Sequence, residues 1–383
     1  MMDLAARLAE LDRLGLRRRR RVLDGPQGSR VRIDGRDYLS FASNDYLGLA
    51  GHPALAEAAR AAAAEVGTGA GAAHLVTGHH ALHDRLEHEL AGFVGLPAGL
   101  LFATGYMANL GVVGALVDRH GAVFADKLNH ASLVDAARLS RADHQRYRHN
   151  DLDHLEQLLR ASTAQDKLIA CDAVFSMDGD LAPVPELLAL AQRYDAWLYL
   201  DDAHGFGVLG AGGRGILEHY GITRPDARLI YLATLGKAAG VSGACVAGSA
   251  DLIEWLVNKA RTYVYTTATP PMLAAAASAS LALIAGEPAR RRHLARLIAR
   301  LKAGAAGLPW SLLPSETAIQ PLLVGGNREA LRLADGLAER AILCPAIRPP
   351  TVPEGTARLR ISLSAGHDEA DVDRLVAALA ELA

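Results

Sequence analysis

The sequence predicts an α/β fold, a large unit built on a mainly parallel sheet, followed by a smaller α+β unit. Three observations carry that prediction. Short apolar runs rich in β-formers recur along most of the 383-residue chain, helical patterns separate most of them, and from about residue 286 the pattern changes. Strands that read as continuous apolar runs and alternate with helices belong to parallel sheets covered on both faces.

The elements follow in order. "MMDLAARLAELDRLGLRRRRR" reads as a short amphipathic helix with its positive charges at the wrong end for a signal peptide. "GLLFATG" (99–105), "GAVFAD" (121–126), "KLIACDAVFS" (167–176), "AWLYLDDAHG" (196–205), "RLIYLATLGK" (228–237) and "GACVAG" (243–248) read as buried strands bounded by turn residues or charges. Between most of them, "ALHDRLEHELAGFV", "HASLVDAARLS", "DLDHLEQLLRAS" and "PVPELLALAQRYDA" carry the apolar spacing of helices. "MLAAAASASLALIAG" is apolar but too short to span a membrane comfortably and is closed by Gly286-Glu287-Pro288, so it reads as a buried helix. Beyond it come a basic amphipathic helix, "EPARRRHLARLIARLKAGAAGL", then "AIQPLLVGG", another helix, "RLRISLS" and a closing helix, "DEADVDRLVAALAELA". The expected units are an N-terminal segment over 1–45, a large ligand-binding domain over 46–285 and a small C-terminal domain over 286–383.

Composition narrows the partners. Forty basic against forty-two acidic residues leave a net charge of −2, so no global field draws the chain to nucleic acid or to an anionic membrane, and a small ligand is the expected partner. Cys171, Cys245 and Cys344 are odd in number, far apart and in no C-x-x-C pair, which argues against a disulfide framework or a thiolate zinc site and fits a reducing cytoplasm.

Open parallel sheets bind ligands at the carboxyl ends of their strands. Here those ends carry Gly105 and Tyr106, Ser176 and Asp178, Asp201, Asp202 and His204, and Thr234 and Lys237. Singly, each has a structural explanation: Asp201 as a cap, His204 as a satisfied polar residue, Lys237 snorkelling to solvent. Together they ask for a chemistry. A P-loop is excluded, because Tyr231 stands where its first glycine belongs and Ala238 follows Lys237. "GTGAG" at 67–71 lacks the third glycine of a dinucleotide fingerprint, since residue 72 is alanine. "GVSGA" at 240–244 lacks the second glycine of a nucleophile elbow, so a hydrolase built on Ser242 is the weakest reading. His79 and His83 stand one helical turn apart, at metal-ligand spacing, but without thiolates or a glutamate pattern they read as a solvated helix face. Pyridoxal phosphate chemistry uses the whole set: a lysine amine for the cofactor aldehyde, and a carboxylate that keeps the pyridine nitrogen protonated. Lys237 and Asp201 suit those roles, and a desolvated lysine has the lowered pKa that a neutral nucleophile needs.

At these residues the chain resembles the α-oxoamine synthases, pyridoxal phosphate enzymes of the aspartate-aminotransferase fold (fold type I). The likeness lies in "SNDYLGL" (43–49), "DKLNHASL" (126–133), "FSMDGD" (175–180), "DDAHGFGVLG" (201–210), "TLGKAAGVSGA" (234–244) and "AIRPPTVPEGTARLRISLSAGH" (346–367), in matching order from about residue 17 to the C-terminus. It implies that Lys237 binds the cofactor aldehyde and moves protons at the substrate α-carbon, and that Asp201 pairs with the pyridinium. His130 would stack on the ring, His204 and Ser176 would bond around its phenolic oxygen, and Gly105, Tyr106 and Thr234 would hold the phosphate. Thr266 and Thr267 would reach the phosphate of a second subunit, since the family forms homodimers. Asn44 and Arg360 would orient the amino-acid carboxylate, while Arg348, Thr351 and Arg18 in the arginine run would meet the acyl substrate. Which of Arg348 and Arg360 holds which carboxylate stays open. Within the family, "AIRPPTVP" is most similar to the members that condense L-alanine with a pimeloyl thioester, carried by coenzyme A or an acyl carrier protein, in biotin biosynthesis. The alternatives are a member using glycine with acetyl- or succinyl-CoA, and an aminotransferase. A regulator of the same fold would need a DNA-binding domain, for which the residues before "FASNDYLG" leave no room.

Overall fold

The computed structural model describes residues 2–13, 16–17, 20–224 and 226–383. Near the N-terminus, β1 (Arg30–Ile33) and β2 (Arg36–Ser40) form an antiparallel ribbon. The central sheet contains β3 (Ala98–Phe102), β4 (Ala122–Asp126), β5 (Asp143–Tyr147), β6 (Lys167–Asp172), β7 (Trp197–Asp201), β8 (Leu229–Thr234) and β9 (Ala244–Gly248), in the order β3-β9-β8-β7-β6-β4-β5. Only β9 runs against the rest, antiparallel to both β3 and β8, so the sheet is mainly parallel as the sequence predicts.

Alternation along these strands makes the three layers. Phe124, Ile169, Leu198, Leu200 and Tyr231 face one apolar cluster, and Val123, Leu168, Tyr199, Ile230 and Leu232 face the other. Every residue of β4 and β9 is buried, the signature of strands covered on both faces. Each fully buried leucine or phenylalanine contributes about 2 kcal/mol of apolar transfer. The helix Pro271–Gly286 buries Ala274, Ala277, Leu281 and Ile284, as expected of an interior helix. Among the described residues no single helix is long and apolar enough to cross a membrane; this helix and Pro288–Ala305, bent by 69° at their junction, pass that test only as a pair, by length and composition.

The C-terminal part holds a four-stranded antiparallel sheet of β10 (Ser311–Leu312), β11 (Ile319–Gly325), β13 (Ala346–Ile347) and β14 (Ala357–Ser362), in the order β10-β11-β14-β13. Strand β12 (Ile342–Leu343) leaves that sheet and pairs parallel with β2. Residues 39–40 are thereby tied to 342–343, so the segment carrying Asn44 enters the molecule beside the strand that carries Arg360. Several elements have no counterpart among the sequence expectations, among them the helices Pro53–Val66, Gly105–Leu116 and Ala250–Lys259, strand β5 and the ribbon β1–β2. Strand β5, "DHQRY", is polar because it is the sheet edge, and the ribbon β1–β2 is short and half exposed.

Candidate active site

The cleft opens at the carboxyl ends of the parallel strands. Gly105, Tyr106, Asn109, His130, Ser132, Asp172, Asp201, Ala203, His204, Leu232, Thr234 and Lys237 line it. Of the strand-end residues picked out from sequence, Gly105, Tyr106, Asp201, His204, Thr234 and Lys237 converge on one cavity, while Ser176, Asp178 and Asp202 do not line it.

Lys237 follows β8 in a turn that Gly240 closes, its N–H bonding the Lys237 carbonyl at 2.9 Å. Gly240 has φ +68°, and a Cβ there would meet the backbone of Leu49 and Ala50 at 2.5–2.6 Å, so this glycine lets the lysine turn pack against the 43–50 segment. Burial lowers the Lys237 pKa to about 8, and the carboxylates of Asp201 and Asp172 offset only part of the effect. At pH 7 about a tenth of the amine is thus neutral, far more than for an ordinary lysine.

His204 connects this amine to the N-terminal segment. Lys237 Nζ lies 2.8 Å from His204 Nε2, Tyr46 OH lies 2.6 Å from His204 Nδ1, and Tyr46 OH lies 3.1 Å from Asn44 Oδ1. One proton assignment satisfies all three: Lys237 donates to Nε2, Nδ1–H donates to the tyrosine oxygen, and the tyrosine donates to Asn44. That requires a neutral imidazole. Burial, then the positive charges of Lys237 and Arg360, hold His204 well below the usual histidine range.

Asp201 ends β7 with its carboxylate fixed. Its Oδ2 accepts from Asn109 Nδ2 at 2.8 Å and its Oδ1 from the Ala203 N–H at 3.1 Å. Asn109 Nδ2 also donates to Ser132 Oγ at 2.7 Å, and its Oδ1 accepts from Tyr199 OH at 2.6 Å, so every amide proton and the carbonyl are committed. Asp172 is the cross-strand partner of Asp201 and accepts from the His130 N–H at 2.8 Å. Burial first, and then the Asp201 charge, push its carboxyl well above the usual range. Asp202 has a different job: it is fully buried and accepts from the Ile216 N–H and Tyr231 OH, both at 2.7 Å.

His130 caps the helix Ala131–Ser140, its Nδ1 bound at 2.7 Å to Ser132 Oγ. The ring stays exposed to the cleft, and burial against the wall lowers its pKa. The helix Gly105–Leu116 points its N-terminus into the same cleft. Thr104 caps it through Met107 N–H, which leaves the N–H groups of Gly105 and Tyr106 to bind an anion beside Thr234. A cofactor with a phosphate, a pyridine nitrogen and an aldehyde fits these donors: a helix N-terminus and a hydroxyl, a pinned carboxylate, and a partly neutral lysine amine.

Not every expected residue lies on this wall. Ser176 meets the site through its carbonyl, which accepts from Arg360 Nε at 2.5 Å. Arg360 is 5% exposed and also donates to Asn44 Oδ1, Ser362 Oγ and Tyr46 OH, all neutral groups. Arg358, two residues earlier on β14, is instead ion-paired with Asp178. Arg348 and Thr351 line a separate groove together with Leu8, Leu11, Leu16 and Arg17. Thr266 and Thr267 lie on an outer segment where Thr267 bridges Ala73. Arg18 lies outside the described residues. Ser242 is exposed, and among the described residues no hydrogen bond joins it to a histidine.

Sequence reasoning missed Tyr46, Asn109, Ser132 and Asp172. Two of them carried a signal. Asn109 is the one amide in an otherwise apolar helix, "GYMANLGVVGAL", and Asp172 stands at a strand end like the residues that were singled out.

The chain matches the aminotransferase class I and II family over residues 36–379. It is similar to the 8-amino-7-oxononanoate synthase of Herminiimonas arsenicoxydans, 62% identical over 379 residues that cover 98% of each chain. That of Nitrosomonas europaea is 61% identical over 384 residues, covering 100% of this chain and 99% of its own. Among solved structures, a serine palmitoyltransferase of Sphingomonas wittichii overlays with a TM-score of 0.92 at 29% identity, covering 99% of this chain and 96% of that one. The 8-amino-7-oxononanoate synthase of Francisella tularensis overlays with a TM-score of 0.78 at 30% identity, covering 90% and 97%.

Proposed function

We propose that this chain, which belongs to the class I and II aminotransferases and within them to the 8-amino-7-oxononanoate synthases, condenses L-alanine with a pimeloyl thioester, releasing carbon dioxide and the thiol carrier. It is a pyridoxal phosphate enzyme of fold type I. The observation that carries the chemical reading is the meeting, in one cleft, of an amine whose pKa is brought down to about 8 and an aspartate whose carboxylate is pinned by Asn109.

When bound, pyridoxal phosphate supplies an aldehyde that takes amines and a ring that accepts the electron pair released at the amino-acid α-carbon. The protein does the rest. The N-terminus of helix Gly105–Leu116, with the Thr234 hydroxyl, binds the phosphate, and Asp201 stabilises a protonated pyridine nitrogen. His130, its ring orientation fixed by Ser132, lines the same cleft and would stack on the cofactor ring. Lys237 Nζ takes the α-proton and returns a proton after carbon–carbon bond formation, with His204 Nε2 holding the amine in place between transfers. Arg360 and Asn44 receive the alanine carboxylate; the guanidinium already faces neutral oxygens only, so an incoming carboxylate meets an unneutralised charge. Ser176 acts through its backbone, by orienting Arg360.

The groove of Arg348, Thr351 and Arg17 takes the thioester, with Leu8, Leu11 and Leu16 offering apolar surface to the acyl chain; the family resemblance adds Arg18, outside the described residues, as an acyl-substrate residue. A homodimer is supported by exposed Leu75, Val76 and Tyr265 around Thr266 and Thr267, an apolar surface on which a second copy would pack. A cytoplasmic setting is supported by three free, buried cysteines.

The test is direct. Purified protein incubated with L-alanine and pimeloyl-CoA, or pimeloyl-acyl carrier protein, should form the C9 amino-ketone, identified by mass. Faster turnover of glycine with acetyl-CoA, or conversion of the cofactor to pyridoxamine by an amino donor, would replace this reading.

A further inference from the structure

Away from the cleft, three histidines meet. His74 sits on a single wide turn, His74–Gly78; His79 follows it; and His83 stands one turn into the helix Ala81–Val94. One ring nitrogen from each lies within 4.8 Å of the others, the only such histidine, cysteine or carboxylate group among the described residues. His74 Nδ1 and His79 Nδ1 face each other at 2.9 Å.

We propose that this cluster is a binding site for a divalent transition-metal ion of the zinc class, held by His74, His79 and His83. A tetrahedral ion with metal–nitrogen bonds of about 2.0–2.1 Å needs ligand nitrogens about 3.3 Å apart. The His74–His79 pair reaches that spacing by opening about 0.4 Å, a small shift for His79, which is 30% exposed. The proton now shared between the two Nδ1 atoms moves to the Nε2 of its own ring, so both imidazoles bind as neutral ligands. His83 now donates Nε2–H to the Thr269 carbonyl at 2.9 Å and accepts the His80 N–H at Nδ1. To bind as a neutral ligand through Nε2, His83 gives up both bonds: solvent water takes the Nε2 proton and returns one to Nδ1, which releases the His80 N–H, the Thr269 carbonyl is exchanged for the ion, and a water completes the shell.

The surroundings favour a cation. Glu87 Oε2 lies 3.8 Å from His79 Nε2, on the side of the ring away from His74. Closed to hydrogen-bond distance, this pair would form the carboxylate–histidine arrangement that orients a metal-bound imidazole. Glu87 is buried, and its Oε1 accepts the Leu101 N–H at 2.8 Å, which fixes the carboxyl beside His79. His74 stacks on Tyr263 at 4.7 Å, so an ion here would brace the wide turn against the segment that carries Thr266 and Thr267.

The experiment uses holoprotein dialysed against a chelator and titrated with Co²⁺. One saturable Co²⁺ per chain should appear in visible d–d absorption and be displaced by Zn²⁺, and Zn²⁺ should raise the melting temperature. His79→Ala, at an open position, and His74→Phe, which keeps the stack on Tyr263, should each weaken Co²⁺ binding by at least about tenfold and abolish the thermal shift. No saturable Co²⁺ spectrum in the parent protein, or equal affinity in the parent and in both variants, overturns the proposal.

Discussion

Two histidines at the same edge of the same sheet are held in opposite states. His204, after β7, lies among Lys237, Arg360 and His130, and is kept neutral. His149, after β5, lies between two carboxylates: Nδ1 is 3.1 Å from Asp126 and Nε2 is 2.8 Å from Asp180. Burial works against a charge on His149, yet its bonds to the two aspartates outweigh burial and raise it to about 10. Asn150 donates to the same two carboxylates. The difference teaches that the strand ends serve two purposes. Around His204 like charges crowd together and keep groups in forms that exchange protons easily. Around His149 one cation bridges two carboxylates, and the resulting clamp holds the 175–180 loop, whose Ser176 carbonyl and Asp178 carboxylate grip Arg360 and Arg358.

The largest expected effect breaks the reactive side of the comparison. Lys237→Ala should lower turnover by about 10⁴-fold or more while the fold persists, and borohydride reduction of the parent protein should place the pyridoxyl group on the peptide containing Lys237. Label on another lysine would contradict the assignment. The same amine predicts a pH dependence. Attack on the cofactor aldehyde needs the neutral form, so cofactor capture by cofactor-free protein should accelerate as pH rises through about 8, well below the range of an ordinary lysine.

Asp201→Asn comes next. It keeps shape but removes the charge Asn109 positions, so α-proton exchange of alanine, followed by NMR in deuterated water, should slow about 10²- to 10³-fold while cofactor content falls much less. Unchanged exchange would remove Asp201 from its role.

The smallest effect sharpens the clamp. His149→Gln leaves the fully buried Asp126 beside Asp180 without the cation between them, and should cost about 2 kcal/mol of stability, below what the pKa shift alone implies because the ring is partly open to solvent. The sign with pH follows from a raised pKa. The stabilisation is complete below the unfolded value near 6.5 and is lost as pH rises through about 10. The urea midpoint of the parent protein should therefore decline from pH 7 to pH 10 more steeply than that of the variant; parallel declines would mean that His149 is not charged in the fold.

The sequence by itself determined the parallel strands, the interior helix 271–286, and the positions of Lys237, Asp201, His204, Thr234 and Gly105 at strand ends, because apolar periodicity and chain punctuation are local properties. It also carried enough motif to place the chain in its family. Tertiary structure alone decided the rest. Strand β5 is polar and becomes a strand only by pairing with β4, and β2 finds its partner at residues 342–343, some three hundred residues away. Arg358 and Arg360 are identical in sequence terms, yet one is neutralised by Asp178 and the other faces only neutral oxygens. The charge on His149 and its absence on His204 follow from neighbours on other elements. A side chain's protonation and partnership depend on the dielectric and the charges within a few ångströms, and folding brings those from distant parts of the chain.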